Sequence, residues 1–390
     1  MKDKINVSYI GEFHEMYLGK DVFLKPYYIS KQQGVPLICQ YSCSIGNKIP
    51  AEYRGCKFVG RDSHHVNMLK KTWDFIKWSI IRARHINVLY FTPLNNLQRL
   101  SLLIFKIINP KGKMVEYGDI EYEQAKYFCE HDYCFSSGIA GWIKNSFNNF
   151  YFGNVVNPVV NQKAYNEFKK MYVRHGWTKL CLVPPCFDNE MFEQSGLIPI
   201  PFEKKEKIML YVGRLGAHQK NTDMMLDAFK KVDFQDWKVY LIGPVTTSFK
   251  TYEHSAYQQK IDTFFEENPN LRDKVILTGP IYDFKKLYEY YIRAKVFVLT
   301  SRHEGAANVL SEAGALGCYF VGTDVGIMDT VTNNWQFGTK IEQEDVDGFA
   351  EVLNKITHNE LEMDLSKQIP MEQFTWDYVV RNQLMPLLED

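Results

Sequence analysis

In the second half of the chain, short apolar runs alternate with segments whose apolar residues recur at helical spacing. Five of these runs are rich in β-branched and aromatic residues, which predicts buried strands. They are KIMLYVG (207–213), WKVYLIG (237–243), KVILTG (274–279), VFVLTS (296–301) and CYFVGTD (318–324). The intervening segments predict helices near 221–232, 256–268, 283–294, 308–316 and 345–356. Such alternation is typical of a parallel, doubly wound sheet with helices on its faces.

The first half shows the same alternation less regularly. Its strand-like runs are INVSYIG (5–11), PLICQYS (36–42), INVLYF (86–91) and GKMVEYGD (112–119), and its helical patterns cover about 20–33, 66–84 and 96–108. The stretch GLIPIPFEKKE (196–206) is proline-rich and charged, as linkers are. We therefore predict an α/β protein of two Rossmann-like, doubly wound domains that face each other across a cleft. The predicted domains are residues 1–198 and 206–370, and the amphipathic segment 371–390 is expected to pack back on the first.

The composition of the chain favours a globular protein. A length of 390 residues with 45% hydrophobic and 24% charged residues predicts more than one core. The N-terminus lacks a signal-peptide core, and no apolar run approaches the roughly 20 residues of a membrane span. The eight cysteines include no C-x-x-C pair, so we expect reduced, buried thiols in a cytoplasmic protein.

Charge is unevenly placed along the chain. Residues 1–195 carry 25 Lys and Arg against 17 Asp and Glu, whereas residues 196–390 carry 21 against 29. Either the basic half meets an anionic partner such as the inner face of a membrane, or this is ordinary solubilising charge. The stretch KKTWDFIKWSIIRARH (70–85) is either an interfacial helix or, as the strand that follows favours, a helix packed on the sheet. No nucleic-acid motif is visible, so nucleic acid is not an expected partner.

Two glutamates eight residues apart, Glu304 and Glu312, follow the strand at 296–301. The first lies in the predicted loop and the second in the helix after it. Ligands of open α/β sheets bind at this carboxyl edge, where helix N-termini favour anions. Each glutamate alone is better explained as a solvated residue of a loop or a first helical turn. Small residues around them favour close approach of a ligand, namely Gly305, Ala306, Ala307, Ala313, Gly314 and Ala315.

Two cations follow another strand at the same predicted edge. Arg214 and Lys220 come after the run that ends at Gly213, and a helix is predicted to begin near Asn221. Arginine forks onto phosphate oxygens and lysine adds a point charge. The fingerprints G-x-G-x-x-G and G-x4-G-K-[ST] are absent, which disfavours hydride transfer and P-loop chemistry.

With these motifs in this order, the chain resembles the retaining glycosyltransferases of family 4, which have the GT-B architecture. The stretch YVGRLGAHQKNTDMMLDAF (211–229) and the E-x7-E pair at Glu304 and Glu312 carry the resemblance. It implies that Glu304 contacts the transferred sugar, that Glu312 binds ribose hydroxyls, and that two cations hold the donor diphosphate. The catalytic residues it implies are Glu304, Arg214 and Lys220. Further donor contacts would come from Gly213, Gly305, Ala306, Ala307, Asn308 and Val309. Many relatives carry Gly-Phe or Gly-Leu after the first glutamate, so Ala306-Ala307 leaves the sugar open.

The resemblance also implies contacts elsewhere. Ile281 and Tyr282 would lie against the nucleotide base, although Tyr282 suits a packing role equally well. Gly19 and Lys20, in YLGKDVFLKPYYIS (17–30), would face the diphosphate from the first domain. Asp119, after the run 112–119, is an acceptor-side candidate, and a capping role is the simpler interpretation.

The predicted function is a retaining glycosyltransferase that uses a nucleotide-diphosphate sugar, UDP-sugar before GDP-sugar, and a glycan or lipid-linked acceptor in surface-polysaccharide biosynthesis. No cofactor or metal is expected, since the only D-x-D pattern considered, Asp345 to Asp347, begins a helix far from the donor motifs. The alternatives are a sugar-nucleotide epimerase of similar fold and a non-catalytic, glycosyltransferase-like scaffold. The expected location is cytoplasmic, with peripheral contact at the membrane as an open alternative.

Overall fold

The computed structural model describes residues 4–45, 49–61, 66–118, 122–130, 138–246, 256–305 and 307–389. Within these ranges the chain forms two compact units. The first is Met1–Pro185 together with Trp376–Asp390, and the second is Cys186–Thr375.

The first unit is built on an eight-stranded sheet. Its strands are β1 (Ile5–His14), β2 (Leu37–Ile45), β3 (Glu52–Tyr53), β4 (Cys56–Val59), β5 (Ile86–Phe91), β6 (Lys113–Glu116), β7 (Val155–Val159) and β8 (Leu180–Leu182). The spatial order is β3-β4-β2-β1-β5-β6-β7-β8. All neighbours are parallel except β3 and β4, which pair antiparallel. The chain reverses its direction of travel across the sheet between β1 and β5.

Helices accompany this sheet, and side-chain caps set several of their ends. They are α1 (Asp21–Gln33), α2 (Met68–Ile76), α3 (Asn96–Ile108), α4 (Tyr122–Glu130), α5 (Gly138–Asn154) and α6 (Gln162–His175). Asn95 and Gln98 form a reciprocal capping box at the start of α3. Gly34 and Gly176 end α1 and α6 in the left-handed conformation that glycine adopts without strain.

The predicted helix at 66–84 is one helical segment, in which α2 continues through a π-helical turn at Lys77–Ile81. Phe75 and Trp78 are buried, whereas Trp73 and Ile81 are exposed. The segment therefore packs on the unit through one face. This agrees with the prediction that was based on the strand that follows it. At the C-terminus, helical residues run through Trp376–Val379, Val380–Leu384 and Met385–Glu389. Trp376 is fully buried and its ring stacks on Tyr28 of α1, with centroids 6.4 Å apart.

The second unit is a six-stranded, wholly parallel sheet. Its strands are β9 (Glu206–Val212), β10 (Lys238–Ile242), β11 (Val275–Gly279), β12 (Ala294–Leu299), β13 (Tyr319–Thr323) and β14 (Gly338–Ile341). Their order is β11-β10-β9-β12-β13-β14. The chain moves outward from β9 to β11 and then crosses back to β12 beside β9. Residues that follow β9 and β12 therefore lie side by side at the carboxyl edge, where the strand order reverses and where open α/β sheets bind their ligands.

Helices cover this second sheet and complete its core. They are α7 (Asn189–Ser195), α8 (Thr222–Phe229), α9 (Ala256–Glu267), α10 (Phe284–Arg293), α11 (Asn308–Ala315), α12 (Met328–Val331) and α13 (Val346–Thr357). The four residues from Val296 to Leu299 in β12 are fully buried, which explains their unbroken apolar run. The Asp345 side chain caps α13 by accepting from Gly348 N–H at 2.8 Å.

The boundary between the units differs from the predicted one, because the first unit ends at Pro185 and not near residue 198. Phe187 N–H donates to Phe374 O at 2.7 Å, and the Phe187 ring packs on Phe192 and Tyr288. These contacts hold the segment after Pro185 in the second unit, which continues to Thr375 and not to 370. The strand-like run 112–119 ends as a strand at Glu116.

Seven cysteines lie in the described part of the chain, and all seven are buried and free of disulfides. The expectation of buried thiols is confirmed for them, and Cys134 lies outside the described residues. Among the described helices, none combines the length and the apolar character needed to cross a membrane.

Candidate functional site

The loops that leave β9 and β12 meet through an ion pair at the carboxyl edge of the second sheet. Lys220 Nζ donates to Glu304 Oε1 at 2.5 Å, and Ser301 Oγ donates to the same oxygen at 2.6 Å. The Lys220 and Glu304 side chains are only 13% and 6% exposed. The structure thus brings together two predicted site residues that are 84 positions apart.

Gln219 links this pair to the third predicted catalytic residue. Its Nε2 donates to Glu304 Oε2 at 3.2 Å and to the His303 carbonyl at 3.1 Å. Its Oε1 accepts from Arg214 Nη2 at 3.3 Å. Burial lowers the pKa of the Arg214 guanidinium, and the negative charge of Glu304 opposes that shift. Sequence reasoning missed Gln219, because an amide between His218 and Lys220 carries no motif and only its position reveals its role.

Hydrogen bonds to backbone carbonyls hold the segment around Lys220 in place. Thr300 Oγ1 donates to the carbonyls of Lys220 and Asn221, at 3.2 and 3.0 Å. Arg302 N–H donates to Gln219 O at 2.8 Å. Asn221 adopts the left-handed conformation, φ 47°, which asparagine tolerates better than most residues. The loop after β9 is therefore tied to the loop after β12 before any ligand is considered.

The hydrogen-bond inventory shows what the cluster can still bind. An ionised carboxylate offers about four lone-pair positions, and the Glu304 carboxylate accepts from Lys220, Ser301 and Gln219. An ammonium has about three N–H donors, and Lys220 directs one to Glu304. Counted over the described residues, the site retains about one acceptor position and two lysine donors, which suits a hydroxyl beside an anion.

Gly326 allows the loop after β13 to pack against Glu304. It has φ 61°, and a Cβ added there would lie 3.0 Å from Glu304 Cβ. The site therefore needs both the left-handed backbone and the missing side chain of glycine. Sequence reasoning did not identify Gly326, although a glycine in the loop after a predicted strand was a usable signal.

The turn after Glu304 leads into α11. Gly305 is half-buried, Ala307 is the residue before the helix, and Asn308 and Val309 are its first two residues. Ala306 lies outside the described residues. Alanine has no side-chain acceptor, so Ala307 leaves the first N–H groups of α11 without a side-chain cap from that position. Such groups are suited to an anion or to hydroxyls.

Glu312 is half-buried on α11 and lies close to the Tyr291 hydroxyl of α10. Burial, followed by the negative charge of Glu312, raises the pKa of Tyr291 well above its ordinary range. The small residue Gly314 has a packing explanation, since an added Cβ would lie 2.8 Å from the Phe374 ring. Ala313 and Ala315 are buried as well. Ligand approach as the reason for Gly314 was therefore wrong, because its small size permits close packing of the Phe374 ring.

The remaining residues predicted for the second unit lie at the same edge of the sheet. Gly213 directly follows β9, and its carbonyl lies close to Gly243. A Cβ added at Gly243 would come within 1.9 Å of the Gly213 carbonyl oxygen. Gly243 is thus a second glycine that sequence reasoning missed. Ile281 and Tyr282 follow β11; Ile281 packs partly on the core, and Tyr282 is 76% exposed. An exposed ring after a strand end is available for stacking.

Three predicted residues belong to the first unit. Gly19 ends the 3₁₀ turn Glu15–Gly19 that follows β1, and Lys20 is the residue before α1. Asp119 lies outside the described residues. The structure places Gly19 and Lys20 at a strand-to-helix turn, and their suggested contact with the donor stays a prediction.

Part of this chain is similar to known proteins. Residues 198–370 match the family model described as Glycosyl transferases group 1. The amylovoran biosynthesis glycosyltransferase AmsD of Erwinia amylovora is 34% identical over 112 residues, which are 29% of this chain and 28% of that protein. The capsular polysaccharide biosynthesis glycosyltransferase CapM of Staphylococcus aureus is 30% identical over 153 residues, 38% and 36% of the two chains. These matches span only about a third of the relatives' length.

Solved structures are similar over nearly the whole chain. The lipopolysaccharide outer core galactosyltransferase WaaB in its apo form has a TM-score of 0.63 at 14% identity, covering 97% of this chain and 98% of that one. Anabaena Alr3699/HepE in complex with UDP and glucose has a TM-score of 0.56 at 12% identity, covering 99% and 97%. At these identities the likeness concerns the fold, and it confirms the predicted α/β architecture of two parallel-sheet units. The chain therefore has the GT-B type of fold, and its residues 198–370 match the model of the glycosyl transferases group 1 family.

Proposed function

We propose that the protein is a retaining glycosyltransferase that moves a sugar from a nucleotide-diphosphate donor to a hydroxyl of a glycan or lipid-linked acceptor. The observation that carries the proposal is the cluster of Arg214, Gln219, Lys220 and Glu304, in which two cations and a carboxylate lie together. This cluster lies where the strand order reverses, the usual ligand position in such sheets. The names of AmsD and CapM support a place in polysaccharide biosynthesis.

In this proposal the donor is held from both ends. Arg214 and the two remaining N–H groups of Lys220 bind the diphosphate, together with the N-terminus of α11. The remaining acceptor position on Glu304 takes a hydroxyl of the transferred sugar, and Glu312 takes the ribose hydroxyls. Ile281 and Tyr282 contact the base. HepE, in complex with UDP and glucose, supports a UDP-sugar in preference to a GDP-sugar.

The reaction proposed needs no enzyme nucleophile. The acceptor hydroxyl attacks the anomeric carbon on the face from which the diphosphate departs, so the configuration is retained. The bond between that carbon and the phosphate oxygen breaks, and a donor phosphate oxygen takes the hydroxyl proton. Arg214 and Lys220 stabilise the charge that develops on the leaving diphosphate, without a metal ion in this scheme. Since Glu304 already accepts three hydrogen bonds, it orients groups and does not act as a base.

With a lipid-linked acceptor, the protein would act at the inner face of the cell membrane. The excess of basic residues in 1–195 supports peripheral contact with an anionic surface. In this proposal Gly19 and Lys20 contact the diphosphate. Asp119 contacts the acceptor.

The test begins with donor binding. Purified protein in EDTA is heated with a panel of UDP- and GDP-sugars, and a true donor raises Tm as RT ln(1 + [L]/Kd) requires. Arg214→Ala should abolish this increase. Arg293→Ala is the matched control, because Arg293 immediately precedes β12 and its guanidinium pairs with Glu206 at the amino edge of the same sheet. Its increase should stay that of the wild type.

Transfer is then followed with the donor that binds. Release of nucleoside diphosphate should require an acceptor, and proton NMR of the product should show the anomeric configuration of the donor. The proposal fails if no nucleotide sugar raises Tm, or if Arg214→Ala and Arg293→Ala lose the effect equally.

A further inference from the structure

A cavity of about 830 Å³ lies in the first unit, beside β6 and β7 and among α3, α4, α5 and α6. Its volume lies in the range of about 300–1,000 Å³ that is usual for small-ligand sites. Most of its wall is apolar, as the side chains of Leu100, Ile143, Phe147, Phe152, Phe168 and Met171 show. Since the space is partly open to solvent and far larger than the voids of a packed core, it is a candidate ligand site.

One end of the cavity carries a polar cluster at the carboxyl end of β6. Arg99 Nη2 lies 3.9 Å from Glu116 Oε1, and the Arg99 guanidinium lies 5.0 Å from the centre of the Tyr151 ring. Tyr151 is 3% exposed, and Arg99 Nε is buried without a hydrogen-bond partner among the described residues. Burial raises the pKa of Glu116, and Arg99 opposes the shift. The cluster combines N–H and O–H donors with carboxyl acceptors and has no large net charge.

Two walls of the cavity continue into an exposed apolar surface. Helix α3 exposes Leu97, Leu100, Ile104 and Ile107, and α5 exposes Ile139, Trp142 and Ile143. Leu100 and Ile143 also line the cavity, so apolar surface extends from its interior to its mouth. Clusters of exposed apolar side chains of this kind mark binding sites for apolar partners.

We propose that this cavity binds an amphipathic lipid, with its hydrocarbon chain along α5 and α6 and its hydroxylated, uncharged end at Arg99, Glu116 and Tyr151. The apolar wall supplies the affinity for the chain. A bare anion is a poor occupant of the polar end, because Glu116 already faces Arg99 there, whereas hydroxyls can both donate and accept. That this lipid is the sugar-bearing acceptor of the transfer rests on the proposed function; its binding does not.

Alkyl maltosides of increasing chain length, kept below their critical micelle concentrations, are the probe. Titration calorimetry on the full chain should show saturable binding with one site. Affinity should rise about fourfold for each added methylene until the cavity is filled, from about 0.8 kcal/mol for each buried CH₂. Free maltose, which has no chain, should not compete measurably.

Variants at the mouth locate the binding. Leu100→Asn and Ile143→Asn should each lower the affinity at least tenfold, since both side chains line the cavity and are already 49% and 60% exposed. Val173→Asn on α6 and Leu69→Asn on α2 are matched controls, each 72% exposed and outside both the cavity lining and the apolar surface of α3 and α5. The controls should bind as the wild type does. Arg99→Met should lower the affinity for all alkyl maltosides, and the increase in affinity with chain length should persist.

The proposal is overturned if no alkyl maltoside binds below its micelle concentration, or if the controls lose as much affinity as the mouth variants. Binding of UDP-sugars is measured on the same preparations. Loss of UDP-sugar binding with intact maltoside binding removes the proposed function and leaves the lipid site. The reverse result removes the lipid site alone.

Discussion

The buried ion pair of Lys220 and Glu304 leads to a quantitative prediction about the second unit. Glu304→Gln keeps the shape of the side chain and removes its charge. The carboxylate accepts three hydrogen bonds and is 6% exposed, beside a lysine that is 13% exposed. The substitution therefore weakens the bonds to the remaining oxygen, removes the bond at the position of the amide nitrogen, which cannot accept, and leaves the ammonium without its charged partner.

The magnitude follows from these contacts. Hydrogen bonds to charged groups contribute about 1 kcal/mol more than neutral ones, so three of them give about 3 kcal/mol. Breaking one member of a buried ion pair costs about 3–5 kcal/mol, which agrees with that figure. For a unit of this size the loss corresponds to a Tm decrease of roughly 6–12 °C. Lys220→Met should cost about as much, for the same reason.

Differential scanning calorimetry of the single and double variants measures the coupling. If the two groups stabilise each other, the double variant Glu304→Gln/Lys220→Met should lose less free energy of unfolding than the two single variants together. The difference should be about 1.5 kcal/mol or more. The control is Asp347→Asn. Asp347 pairs with Lys231 at the same 2.5 Å, but the two side chains are 84% and 51% exposed. Its loss should change stability by less than about 1 kcal/mol.

Two results would refute the reasoning. Additive costs of the single variants would show that the two charges do not stabilise each other. A Glu304→Gln decrease no larger than that of Asp347→Asn would show that burial does not strengthen the contact.

Three further predictions concern buried charges, and denaturant titration measures each. Lys205→Met should cost about 2–3 kcal/mol, because Lys205 Nζ donates to two carbonyls at the C-terminus of α10, at 3.0 and 2.7 Å. Lys25→Met should leave stability unchanged or raise it by about 1–3 kcal/mol, since the Lys25 ammonium is fully buried, 5.1 Å from the Tyr117 ring centre, with no hydrogen-bond partner among the described residues; a loss comparable to that of Lys205→Met contradicts this. Burial raises the pKa of Glu116, so wild-type stability is highest where Glu116 is protonated in both states and falls as pH rises through its folded pKa. The stability of Glu116→Gln relative to wild type should therefore increase from about pH 4 towards neutrality, and a pH-independent difference would refute this.

Most of the second unit could be predicted from the sequence, because its elements are encoded by local patterns. The five predicted strands and five predicted helices are all present, with ends shifted by a few residues. The strand β14, Gly338–Ile341, was missed because it is short and half polar. In the first unit β7 escaped notice since its sequence VVNPV contains Asn157 and Pro158, which interrupt the apolar run.

The candidate site was predictable only in part. Positions after strand ends in a parallel sheet must share one edge, so Arg214, Lys220 and Glu304 could be placed together in advance. Gln219 could not, because nothing in the local pattern separates a bridging amide from a solvated one. Gly314 was misinterpreted, since a small residue reports close approach without saying whether a ligand or the Phe374 ring approaches.

The sequence by itself determined the kinds of elements, their order and the chemistry available at the sheet edge. The periodicity of apolar residues depends on neighbours a few positions away, and this information survives in a linear reading. Tertiary structure decided which side chains meet. The return crossover places β12 beside β9, and only this adjacency brings Lys220 within 2.5 Å of Glu304. Contacts between residues 84 positions apart depend on the path of the whole fold, which no local pattern contains.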